Sequence, residues 1–94
     1  EDLGFCAKGE GGAYVTGGRL RFDQPGGPAL NTDGGGLSSN HPGMRGIFLL
    51  IEAARQLRGQ STAQVAGAKL AVAHGNGGML GSRHSAGTII LGGD

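Results

Sequence analysis

The stretch Asn31 to Gly46, NTDGGGLSSNHPGMRG, constrains this chain more than any other. A glycine-rich turn leads to a histidine in front of a proline, and then to the start of an apolar helix. Pro42 fixes its own φ and pushes His41 into an extended conformation. His41 is thereby expected at the mouth of the helix, near its N-cap, where the positive end of the helix dipole disfavours an imidazolium. A neutral imidazole can accept a proton or polarise a nucleophile. The residues alone leave two readings open, a catalytic histidine and an ordinary capping residue.

Glycine is the compositional outlier, at 22 of 94 residues. It has no three-residue period and little proline accompanies it, which excludes collagen. The glycines cluster in turns between apolar segments. Ordering such turns costs much backbone entropy and buries few side chains, so the chain is expected to fold poorly by itself. It begins without a methionine, on residues that read like the end of a helix, and so reads as a piece of something longer. Eight basic and seven acidic residues nearly balance. No Lys/Arg stripe could track phosphates and Tyr14 is poorly placed for base stacking, so nucleic acid is not expected as a partner. The longest apolar run, Ile47 to Ile51, is too short to span a bilayer, and the start shows no signal-peptide pattern, so no membrane association is expected. The single cysteine, Cys6, excludes an internal disulfide framework and suits a reducing, cytoplasmic compartment.

Along the chain, Glu1 to Phe5 reads as the last turn of a helix stopped by Gly4. Residues 6–42 form a loop region, in which Ala13–Thr16 and Arg19–Phe22 are candidates for a short hairpin across Gly17-Gly18. The clearest helix runs from Gly43 to Leu57, or to residue 58 with its cap. Ile47, Leu50, Ile51, Ala54 and Leu57 share one face, and Phe48 and Leu49 widen it until the first half is apolar nearly all round. That pattern suits a helix buried between two sheets, with Glu52 and Arg55 on the wetter side. A polar connector follows, and then a strand-turn-strand over residues 68–91. Its parts are a strand from Ala68 to His74, a tight glycine turn over Gly75–Gly81, and a second strand over Gly87–Leu91. The second strand is continuous in apolar residues, as one buried on both faces is. The layout is α/β.

The order of these motifs resembles the C-terminal end of the thiolase superfamily, whose members carry N-x-x-GG…GHP-x-G-x-x-G before a buried helix. Two terminal strands follow there, with C-x-G on the turn between them. NTDGGGLSSNHPGMRG resembles the first block, and AHGNGGMLG takes the place of the second. The QLRG and V-x-GAKLA runs extend the resemblance over essentially the whole chain. The pattern is most similar to the sterol-carrier-protein thiolases, the bacterial lipid-transfer-protein thiolases and acetyl-CoA acetyltransferase-like proteins. In these an LG-x-C-x-x-G-x-G segment, here Leu3 to Gly11, follows a YDCF- or HDCF-type motif. The expected fold is the C-terminal portion of a thiolase fold, with residues 1–94 as a partial C-terminal domain.

The resemblance implies Claisen-type acyl transfer or thiolytic cleavage of coenzyme A thioesters, with no permanently bound cofactor. A cysteine in the N-terminal half takes the acyl group there, and a second acid/base residue handles the α-proton or the leaving thiolate. His41 inherits the histidine that favours the thiolate and helps bind the thioester oxygen. Three departures bear on this. Asn40 replaces the glycine of GHP, His74 stands where many thiolases have the C-x-G cysteine, and Asn76 stands at its second glycine. Sterol-carrier-type relatives also place a histidine near His74 and draw their acid/base cysteine from the HDCF-type motif. His74 is therefore a candidate acid/base group, with a hydrogen-bonded structural histidine as its alternative. Asn76, or Gly77 if the alignment slips by one residue, is the candidate oxyanion or substrate-binding donor. Cys6 and Asp33 read as structural, His84 as exposed. The three histidines lack metal-ligand spacing. The 94 residues alone should be inactive, and a homo-oligomer is implied through the full fold. The alternatives are a CoA-ester retro-aldolase of the lipid-transfer-protein type, which works with an OB-fold partner protein, and a non-catalytic acyl-CoA-binding subunit.

Overall fold

A computed structural model describes residues 1–41 and 43–94, with the side chains of all of these except Met79, Leu80 and Arg83. The chain divides into two compact units, Glu1–Asn31 and Thr32–Asp94.

In the first unit a short helix, α1 (Gly11–Val15), runs into a tight helical turn over Thr16–Gly18. The expected hairpin across Gly17-Gly18 is not formed, because the residues before it are helical. Tyr14 N–H donates to the Glu10 carbonyl, Thr16 Oγ1 donates to the Gly12 carbonyl, and the Glu1 carboxylate accepts Gly11 N–H at 2.9 Å. That last bond satisfies one of the donors a helix start leaves open. Two four-residue strands flanked by glycine would have offered less. Beyond the turn, Arg21 holds Asp23 through two parallel hydrogen bonds of 2.8 and 2.6 Å.

The second unit is built from a helix and a hairpin. Helix α2 spans Arg45–Leu57, two residues shorter at its start than the sequence suggests. It ends at Gly59, whose φ of 68° is the left-handed conformation that glycine adopts without a Cβ penalty. Gln60 N–H donates to Arg55 O and Gly59 N–H to Gln56 O, the paired bonds of a Schellman stop. The strands β1 (Leu70–Leu80) and β2 (Arg83–Gly92) pair antiparallel, with Ala73 opposite Ile89 and His74 opposite Thr88.

The glycine segment Gly75–Gly81 is thus not the turn. Gly75, Asn76 and Gly77 pair with Gly87, Ala86 and Ser85 as ladder residues, and the reversal falls at Gly81 and Ser82. Gly75 and Gly87, paired across the ladder, are useful here because they sit on the side facing α2. With Ala73 and Ile89 they line a shallow gap of about 200 Å³ beneath Gly46, Leu49 and Leu50. Small residues at such positions let another element approach closely.

Strand alternation fixes what each face does. Ala73 is 7% exposed against α2, whereas Leu70 and Ile90, on the opposite face, are 74% and 69% exposed. The helix behaves likewise. Ala53 is buried and Leu49 and Leu50 half-buried, while Ile47, Phe48 and Ile51 are exposed. The apolar girdle that suggested cover on both sides of the helix and of the second strand is real in sequence, but among the described residues each has one covered side.

Glu52 corrects the expectation of a wet face. Its Oε1 accepts hydrogen bonds from Thr32 Oγ1 (2.6 Å), Ser61 Oγ (2.6 Å) and Gln56 Nε2 (3.1 Å). Gln56 is buried and fully used, donating also to Ala63 O and accepting Val65 N–H. One turn of α2 thereby holds both the segment entering the helix and the connector leaving it. Burial pushes the Glu52 carboxyl up, but the bonds from Ser61, Thr32 and Gln56 outweigh it and hold the group below the ordinary carboxylate value.

Gln56→Ala would strand Val65 N–H and Ala63 O, and should destabilise the full-length protein by about 2 kcal/mol in denaturant unfolding. A lowered folded-state pKa contributes stability that is present above the unfolded value and lost as pH falls through the folded one. Thermal unfolding followed from pH 7 down through the carboxylate range should therefore show less loss in Glu52→Gln than in the parent protein.

Candidate active site

All four sequence-predicted site residues lie in the second unit. His41 is exposed, in the loop that enters α2. The N-cap of the helix is Met44, with no side-chain cap bond, so His41 lies three residues ahead of the cap and does not close the helix. The part of the motif resting on Pro42 lies outside the described residues.

The loop itself is shaped by Asp33. Its Oδ1 accepts Gly35 N–H at 2.9 Å, so the residue holds the turn through its own backbone, as the sequence suggests. Its Oδ2 accepts a hydrogen bond from Arg45 Nη2 at 3.0 Å, a contact that no local pattern predicts. Gly34 follows with a φ of 92°, and a Cβ there would collide with the Ser38 side chain. The first residue of the GGG run is thus kept free of a side chain by Ser38, and the third, Gly36, by nothing nearby.

His74 sits in mid-strand, on the face of β1 that points away from α2. Its Nδ1 is 2.8 Å from Thr88 Oγ1, directly across the ladder. This partner fixes the plane of the ring and leaves Nε2 as the nitrogen available to anything arriving from the open face. Asn76 is two residues along on the same face, about 7 Å away by strand geometry. Leu70, Val72 and Ile90 make the surroundings apolar. Gly77 is on the other face, and its carbonyl accepts Ser85 Oγ at 3.1 Å.

Asn76 and Gly77 differ in what their backbones can do. In an antiparallel pair, adjacent N–H groups alternate between the partner strand and the opposite edge. One of the two therefore faces the open edge of β1, whichever register the motif comparison favours. Among the described residues no hydrogen bond or ion pair joins His41 to His74, Asn76 or Gly77. The hairpin brings His74 and Asn76 together, and His41 stands on a separate element. His84 is exposed and Cys6 half-buried, both as expected in outline. Among the described residues there is no cluster of potential metal ligands and no helix long and apolar enough to cross a membrane.

A glycine-shaped loop delivering an HP histidine to an apolar helix, followed by a glycine-containing terminal hairpin, defines the C-terminal part of an α/β thiolase-type fold. The chain belongs to the thiolase C-terminal domain-like family, which it matches over residues 1–93. Among curated relatives it is 42% identical over 84 residues to an acetyl-CoA acetyltransferase of Methanothermobacter thermautotrophicus, covering 87% of this chain and 21% of that protein. It is 40% identical over 79 residues to sterol carrier protein 2 of Rattus norvegicus, covering 82% of this chain and 14% of that protein. It is 45% identical over 74 residues to a 17-hydroxy-3-oxo-4-pregnene-20-carboxyl-CoA lyase of Mycobacterium tuberculosis, covering 71% and 16%. The chain thus spans about a fifth or less of the length of each.

If Thr88 orients the His74 ring, Thr88→Val should leave the melting temperature of the full-length protein within a few degrees. It should also shift the balance between the two ring tautomers, read from the nitrogen chemical shifts of His74.

Proposed function

We propose that these residues form the C-terminal portion of an enzyme that transfers acyl groups to and from coenzyme A, by Claisen-type condensation or its thiolytic reverse. The observation that carries this reading is the HP histidine, His41, retained on the loop before α2 in a chain whose family match is nearly end to end. The acetyl-CoA acetyltransferase and sterol carrier protein 2 relatives support it. The substrate is an acyl-CoA. The nucleophile is a cysteine thiolate supplied by polypeptide outside these 94 residues, so the chain alone is inactive.

In that reading His41 accepts the thiol proton, which raises the thiolate population, and then donates a hydrogen bond to the thioester oxygen. The N–H of Asn76 or Gly77 that faces the strand edge helps hold the oxyanion. His74, steadied by Thr88, presents Nε2 as the acid/base group for the α-proton or the leaving thiolate. A carbon–carbon bond then breaks or forms between the acyl carbonyl and the α-carbon of the second CoA ester. The proposed assembly is a homo-oligomer through the full fold.

The CoA lyase relative favours one second reading, retro-aldol cleavage of a CoA ester, for which the family resemblance implies an OB-fold partner protein. That reaction releases a carbonyl compound without consuming a thiol, and so has no need of a histidine that activates a cysteine. His41 therefore favours acyl transfer.

The test is a turnover assay on the full-length protein with a 3-oxoacyl-CoA and free CoA. His41→Ala should lower kcat by roughly 100-fold or more, the usual scale for a general base. Carbonyl release with no thiol consumption would move the reaction to the lyase class. Tight acyl-CoA binding with no turnover would leave a binding subunit.

A further inference from the structure

We infer that Asp33 and Arg45 are positioning residues that clamp the two ends of the 34–44 loop and thereby set where His41 stands. This inference rests on the role proposed above for His41. The two oxygens of the Asp33 carboxylate are divided between the ends. Oδ1 accepts Gly35 N–H, fixing the start of the loop, and Oδ2 accepts Arg45 Nη2, fixing the first residue of α2. His41 lies between them, four residues before Arg45. Asp33 is itself anchored, because Thr32 next to it donates to Glu52, about two turns into α2. The loop is thus tied to the helix at both ends while its middle, Leu37 to Asn40, stays exposed.

The pair is poorly explained as a source of stability. Arg45 is the first residue of α2, where a cation meets the positive end of the helix dipole. Its side chain is only 14% exposed, and Nε and Nη1 are buried without a hydrogen-bond partner among the described residues. A buried ion pair repays its desolvation only when the remaining donors are satisfied, and these are not. The ring of Phe48, 5.7 Å from the guanidinium, offsets part of this. What the arrangement supplies is a fixed distance between two backbone points that flank a histidine.

Because only one nitrogen of Arg45 reaches Asp33, a lysine can replace it as a point charge, whereas a neutral residue cannot. Asn at position 33 keeps an acceptor for Gly35 N–H and loses the charge facing Arg45. The experiment measures kcat and KM of the full-length protein for acyl-CoA turnover, with His41→Ala in parallel. Asp33→Asn and Arg45→Gln should each lower kcat about tenfold with KM within twofold and little change in melting temperature. The double variant should be no worse than either single, since both remove one clamp. Arg45→Lys should restore kcat to within threefold of the parent, and it serves as the readout if Asp33→Asn does not fold.

Full kcat in Asp33→Asn or Arg45→Gln, beside a dead His41→Ala, overturns the clamp and leaves the role of His41 intact. Losses that multiply in the double variant, a loss confined to KM, or an Arg45→Lys as impaired as Arg45→Gln overturn it too. Full activity in His41→Ala means that the reading of His41 has failed, and the positioning role falls with it.

Discussion

The second unit depends on one carboxylate oxygen. Glu52 Oε1 gathers donors from Thr32, Gln56 and Ser61, so residues far apart in sequence meet at the middle of α2. A helix this short on buried side chains cannot hold its flanking segments by packing alone, since Ala53 and Gln56 are its buried residues. Polar bonds set into the helix take over that work. They carry a condition that apolar packing does not, because every member must be satisfied for the set to be worth having. Gln56 meets it, with both ends of its amide engaged and its backbone carbonyl accepting Gln64 Nε2.

Much of the architecture was legible from residue order. The spacing of Leu50, Ala54 and Leu57 and the stop at Gly59 located α2 to within two residues, because helix period and left-handed glycine are local properties. The two strands were found for the same reason. Their extents were not, since Gly75, Asn76 and Gly77 read as turn residues when nothing says what lies across from them. It is Gly87, Ala86 and Ser85 on β2 that make them a ladder. Which side of α2 meets the hairpin does not follow from the apolar pattern either, because that pattern runs nearly all round the first half of the helix. Ile47 and Ile51 are exposed, and the side facing the hairpin is the one bearing Gly46, Leu49, Leu50 and Ala53, where the helix can come close.

The site was legible in its identities and not in its arrangement. His41 and His74 stood out by motif and by comparison with a family, and the geometry adds what each touches. The Thr88 hydroxyl beside His74 could not be foreseen, because cross-strand neighbours depend on register. The Arg45 bond to Asp33 could not be foreseen either. A cation at the first position of a helix has no local argument in its favour, and only the return of the loop supplies one. Glu52 shows the reverse, a residue assigned to solvent by its charge and drawn inward by three donors.

The irregularity between Gly77 and Leu80 has a bearing of its own. Gly77 pairs with Ser85 and Leu80 with Arg83, so β1 spends three steps where β2 spends two. That one surplus residue offsets the two strands by one step before the reversal at Gly81 and Ser82. The hairpin therefore behaves as a counting device. Deleting that surplus residue would leave His74 opposite Thr88, whereas deleting one residue between His74 and Gly77, with the bulge kept, would slide the rest of β1 by one step in a ribbon still fully bonded. His74 would then no longer meet Thr88, and a histidine that now looks outward would be turned in beneath α2. Insertions and deletions between His74 and this bulge are in that sense parity changes, and their effect on chemistry would be far larger than their effect on the backbone.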